Sequence, residues 1–121
     1  MQKNDLLKRI EEALENKKAI DVRVIDIRSC SNVADYFVIC SGTSTTHTRA
    51  LADEVEEKLK EEKMLFFHKE GYSSSNWILL DYGSVVVHIM QQEEREYYNI
   101  EKLWSKGIVS YRRFGGTENE L

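Results

Sequence analysis

The sequence predicts a single α/β (α+β) domain, a mixed β-sheet of about five strands flanked by helices. Three observations carry this expectation. Apolar residues recur at helical spacing near the N-terminus and again over 45–63, short β-branched runs lie between and after these segments, and the 121 residues contain no proline and no internal repeat. A chain of this length buries one core, and 41% hydrophobic against 31% charged residues is too apolar a mixture for wholesale disorder.

Leu6, Leu7, Ile10, Ala13 and Leu14 are spaced by threes and fours among charged residues, which predicts an amphipathic helix over about 3–17. Residues 19–28, AIDVRVIDIR, alternate Ile20, Val22 and Val24 with Asp21 and Arg23, the pattern of a strand with one wetter face. After the turn-like SCSN, the run DYFVIC at 35–40 is nearly all apolar and suits a strand covered on both faces, hence the sheet centre. Leu51, Ala52, Val55 and Leu59 then form one stripe of a second helix whose acids and lysines are its solvated side. MLFFHKEG supplies a short strand ending at Gly71, and YSSSN is a loop. Trp77–Leu80 and Val85–Met90 flank Asp81-Tyr82-Gly83-Ser84 and read as an antiparallel hairpin. A Glu-rich helix is expected over about 91–104, so that the domain occupies 1–106 and a loose tail follows over 107–121.

Composition excludes several function classes. No apolar run approaches the ~20 residues of a spanning helix, and the N-terminal MQKNDLLKRIEEALENKK is charged where a signal peptide would be apolar, so a cytoplasmic protein with no membrane partner is expected. Cys30 and Cys40 lack metal-ligand spacing and are expected as free thiols. The net charge of −4 argues against direct nucleic-acid readout, which needs clustered Lys and Arg, and favours a basic protein as partner.

The stretch SGTSTTHTRALADEV, which follows DYFVIC, has the outline of a strand, a glycine-hydroxyl loop and a helix, and a helix N-terminus can bind an anion. It lacks the second glycine and the lysine of a phosphate-binding Walker loop. Two-metal nucleotidyl transfer needs paired strand carboxylates to hold cations about 4 Å apart. WILLDYG offers Asp81 alone, with Leu79 and Gly83 at the alternate positions. Asp26 and Asp35 lie in no paired motif, and Cys40 with His47 has no third group to orient a thiol and base. No catalytic, metal or cofactor residue is therefore assigned. A nucleotide-binding or nucleotidyltransferase-like enzyme remains the alternative reading.

Trp77, Leu79 and Asp81 alternate on one strand and share a face. Left uncovered, they form an apolar patch with a charge at its edge, the composition of a protein-binding site; covered, Trp77 is a core residue. His88, within VVVHIM, has a structural or interface role on this reading.

DYFVICSGTS, the following HTRALAD, Glu70-Gly71, NWILLDYGSVVVHIM and YYNIEKLW together resemble the ribosomal silencing factor family, also called the Iojap family. The likeness runs from about Leu6 to Trp104. It implies a fold related to nucleotidyltransferases but without their catalytic carboxylates. It further implies a non-enzymatic protein that binds the large ribosomal subunit through its fourteenth universal protein, blocks joining of the small subunit and so represses translation. The contact role carries over to the hairpin: Trp77, Leu79, Asp81, Tyr82 and His88. A homodimer through the same apolar face is a further reading that the residues leave open.

Overall fold

The computed structural model describes residues 3–29, 32–103 and 108–111; Cys30 and Trp104 lie outside them. The elements run α1 (Lys3–Asn16), β1 (Ile20–Asp26), β2 (Tyr36–Gly42), α2 (Thr45–Glu61), β3 (His68–Glu70), β4 (Trp77–Asp81), β5 (Val85–Gln91), α3 (Gln92–Tyr98), α4 (Ile100–Leu103) and β6 (Ile108–Tyr111). The strands form one mixed sheet in the order β3-β4-β5-β2-β1-β6. Among the described strands only β2 and β5 run parallel, because α2 and the β3–β4 excursion carry the chain back to its starting edge before β5 enters beside β2.

The strand centre lies at β2 and β5, as the apolar runs require: β5 is buried at every position from Val85 to Met90. One face of the sheet, with Val22, Val24, Val38, Cys40, Ile78, Leu80, Val87 and Ile89, packs under α1 and α2 through Ile10, Leu14, Leu51, Val55 and Leu59. The other face carries Ile25, Phe37, Ile39, Val86 and Met90 and is met by Ile100, with Trp77 and Leu79 partly buried at its margin.

The sequence differs from the structure at two places near the C-terminus. The helix expected over 91–104 is broken at Asn99, which adopts a left-handed conformation (φ 45°) and donates its N–H to the Arg95 carbonyl at 2.9 Å. Asparagine tolerates this geometry better than most residues, and the chain restarts as the single turn of α4. Residues 108–111, read as part of the tail, pair antiparallel with β1 from Arg23 to Asp26 and add a sixth strand. Among the described residues, no helix is long and apolar enough to cross a membrane.

The loop before β4 depends on Gly71, whose φ is +81°. A Cβ there would sit 2.0 Å from the Trp77 carbonyl oxygen, a backbone atom that cannot step aside. Gly71→Ala is expected to lower stability by about 2 kcal/mol or more, combining strain at positive φ with the clash. Urea denaturation of both proteins at neutral pH checks this, and an unchanged midpoint would show that the loop relaxes freely.

Candidate functional site

The Gly42 loop is occupied by its own chain. Ser44 caps α2 by accepting from the His47 N–H (3.1 Å), and the Thr43 N–H donates to His47 Nδ1 (2.9 Å). With Nδ1 accepting, Nε2 carries the ring proton and donates to the Lys17 carbonyl at 2.7 Å, tying the loop to the end of α1. A Cβ at Gly42 would lie 2.8 Å from the Thr48 methyl, so the glycine serves close approach of β2 to α2. The pairings considered in the sequence do not form a chemical site. His47 is committed to the loop, while Cys40 is fully buried, its thiol pushed up to about 12 by burial despite the opposing influence of Arg95. Asp26 grips the Arg28 guanidinium at 2.6–3.1 Å. Among the described residues, no cluster of three or more metal-ligating side chains occurs.

The hairpin presents a different kind of site. Ladder rows place His68, Asp81, Val86 and Phe37 side by side, then Glu70, Leu79, His88 and Ile39, then Trp77 and Met90. All these residues lie on the face away from α1 and α2. Their exposure falls off across the sheet: His68 and Glu70 are exposed, Trp77, Leu79 and Asp81 half-buried, and Val86, His88 and Met90 buried. The short α3–α4 segment covers the face near β5 and β2 and leaves the β3–β4 margin open. Tyr97 and Tyr98 stand exposed beside that margin, with the Tyr98 ring 5.1 Å from Trp77.

Trp77 is held from behind. Its Nε1–H donates to His88 Nδ1 at 3.1 Å, and His88 in turn packs edge-on to Phe37 at 4.7 Å. The neutral ring therefore carries its proton on Nε2, which is buried and has no hydrogen-bond partner among the described residues. Burial lowers the His88 pKa to about 4. From α2, Thr48 donates to the Ser75 carbonyl (2.6 Å) and Arg49 to the Ser75 hydroxyl (2.7 Å), fixing the loop that delivers Trp77. Asp81 accepts from the Gly83 N–H at 2.8 Å and holds the turn. Tyr82 faces the other way: it is buried in the core beneath α2, where burial, then Glu56, raises its phenol pKa. Of the five hairpin positions, Trp77, Leu79, Asp81 and His88 thus share one face and Tyr82 the opposite one.

Sequence reasoning missed Arg95. Within QEEREYY it reads as one more charge on a solvated helix, yet it is 6% exposed. Its guanidinium donates to Glu101 at 2.7 Å and to the Ser41 hydroxyl at 2.9 Å, with Asp21 at 3.7 Å. Arg23 joins the same cluster through Asp21 (3.2 Å) and Glu101 (3.6 Å). The only hint in the sequence is a lone arginine among four acids in residues 93–101, a signal too common to identify a burial site.

A family model described as "Ribosomal silencing factor during starvation" matches residues 1–119. The chain belongs to this family. The ribosomal silencing factor of Bacillus subtilis is 37% identical over 115 residues, covering 95% of this chain and 98% of that one. That of Halalkalibacterium halodurans is 38% identical over 117 residues, 91% of this chain and all of that one. A mouse protein named for mitochondrial assembly of the ribosomal large subunit is 38% identical over 76% of this chain and 42% of its own length. A crystal structure of a Chromobacterium violaceum protein superposes with a TM-score of 0.85 at 33% identity, covering 98% of this chain and 92% of that one. The likeness to this family read from the motifs is therefore shown, as is the mixed α/β fold.

The His88 arrangement has a pH signature. Its folded pKa lies near 4, below the ordinary 6.5, so the unfolded chain binds the proton more readily. The resulting stability is fully present above about pH 6.5 and is lost as pH falls toward 4, by about 3 kcal/mol at most. Between pH 7.5 and 4.5, the wild type should therefore lose more unfolding free energy than His88→Gln, which has no such titration. Equal losses in paired denaturant titrations would contradict the burial of a neutral imidazole.

Proposed function

We propose that this family member acts by docking on the large ribosomal subunit through its fourteenth universal protein, and that its occupancy of that face keeps the small subunit from joining. The observation that supports this most is the half-open face at β3–β4, where Trp77 and Leu79 are partly exposed and the Trp77 indole is held by His88, with Asp81, Glu70 and His68 around them. A rigid indole with an acidic rim suits a basic protein surface: the ring supplies desolvated contact area, and the acids steer encounter. His88 acts as the positioning residue behind Trp77, and Tyr82 supports the hairpin from the core. The action is steric and requires no chemistry, in keeping with a family described as silencing factors and with a Gly42 loop whose groups are used internally.

Trp77→Ala should weaken binding to purified large subunits by roughly thirtyfold, about 2 kcal/mol. Trp77 is only partly exposed and already packs against the protein, so melting must be followed on the same variant. A large fall in melting temperature with unchanged affinity for the folded fraction would assign Trp77 to the core and sink the docking role. Affinity should also fall only gently across a salt series, since exposed ion pairs each contribute about 0–1 kcal/mol. A slope like that of many released counterions would mean direct RNA binding.

The alternative, a nucleotide-using enzyme, predicts saturable heat on titration with a nucleoside triphosphate and magnesium. A docking protein gives none, and micromolar affinity that depends on Ser44 or Asp81 would favour the enzyme.

A further inference from the structure

The outer surface of α3 has a composition of its own. Glu93, Glu94 and Glu96, together with Tyr97 and Tyr98, line an open hollow of about 550 Å³. Tyr97 is 81% and Tyr98 53% exposed, and their rings meet edge to face at 4.9 Å. Two neighbouring tyrosines left this open on a folded surface are unusual unless something covers them.

Among the described residues, no lysine or arginine pairs with Glu93, Glu94 or Glu96; Glu96 accepts only from the Gln92 amide at 2.9 Å. The helix's own cation, Arg95, is turned inward and committed to Glu101. The patch is also continuous with the hairpin face, because Tyr98 packs on Trp77.

We propose that α3 is a second docking surface, contiguous with Trp77, that receives a lysine- or arginine-bearing segment of a protein. Aromatic faces flanked by carboxylates bind cations through ring quadrupole and charge together. Arginine suits it better than lysine, since a planar guanidinium both stacks on tyrosine and forks to a carboxylate. Nucleic acid and anionic lipid are repelled by three glutamates. A second copy of the chain fits poorly too, because apposing the same patch brings six carboxylates together without a counter-charge.

Identification of the partner as ribosomal rests on the function proposed above, but the chemistry of the surface is tested without it. Isotope-labelled protein is titrated with an oligoarginine peptide at low salt, and amide shifts are followed. The expected result is saturable shifts at residues 93–98 and at the Trp77 indole, weaker with oligolysine. The triple variant Glu93→Gln, Glu94→Gln, Glu96→Gln should bind the peptide on the order of tenfold more weakly, and Tyr97→Leu should erase the preference for arginine. Shifts confined to the acidic side of α2, or full binding by the triple variant, would overturn the proposal. So would a concentration-dependent dimer that Tyr97→Leu abolishes. The same triple variant is then measured on large subunits beside Trp77→Ala. Peptide binding without wild-type subunit binding would refute the ribosomal reading and leave the basic-segment site standing; subunit binding that the triple variant retains in full would refute α3 as part of that interface.

Discussion

The buried guanidinium of Arg95 decides how the second face of the sheet is covered. Left unpaired, a charge at that depth would cost several kcal/mol, and removing one partner of such a pair typically destabilises by about 3–5 kcal/mol. Here Glu101 from α4, Ser41 from β2, the Ile20 carbonyl from β1 and the neighbouring Asp21 surround it. These anchors come from three elements and leave α3 little freedom to slide. The left-handed Asn99 completes the lock by turning Glu101 back toward Arg95. With its anchors at β1 and β2, the α3–α4 segment covers β2 and β5 and reaches β4 only where Tyr98 meets Trp77.

The two faces of the sheet consequently differ in kind. Under α1 and α2 the core is closed, and even Tyr82 and Cys40 are drawn into it. On the opposite side, burial declines from Met90 and His88 to Trp77 and Leu79 and ends at the exposed His68 and Glu70. A tryptophan at such a margin would ordinarily move among rotamers. The bond to His88, the Tyr98 ring and the loop tethered by Thr48 and Arg49 hold it, so little side-chain entropy is left to lose when a partner covers it. The strand-loop-helix at Gly42 shows the opposite economy, its polar groups turned onto one another and onto the end of α1.

Much of this architecture is legible in the sequence because the signals are periodic. The stripe Leu51, Ala52, Val55, Leu59 and the unbroken run in β5 report burial directly, and the alternation in WILLD places Trp77 with Asp81 on one face. What stayed hidden depends on tertiary partners. Tyr82 follows the strand in a turn, so alternation could not say which side it takes. Arg95 looks like a surface residue until Ser41 and Glu101 are brought to it from 54 and 6 positions away. The pairing of β6 with β1 is likewise a long-range contact: IVSY is β-prone, but four residues do not say which strand they join.

The proposed docking puts the partner on the open β3–β4 margin and not on the Gly42 loop. Hydrogen exchange of the protein free and bound to large subunits tests this directly. New protection is expected at residues 68–70 and 77–81, with residues 42–48 unchanged. Protection centred on residues 42–48, with the hairpin exchanging as in the free protein, would rule out docking at this margin.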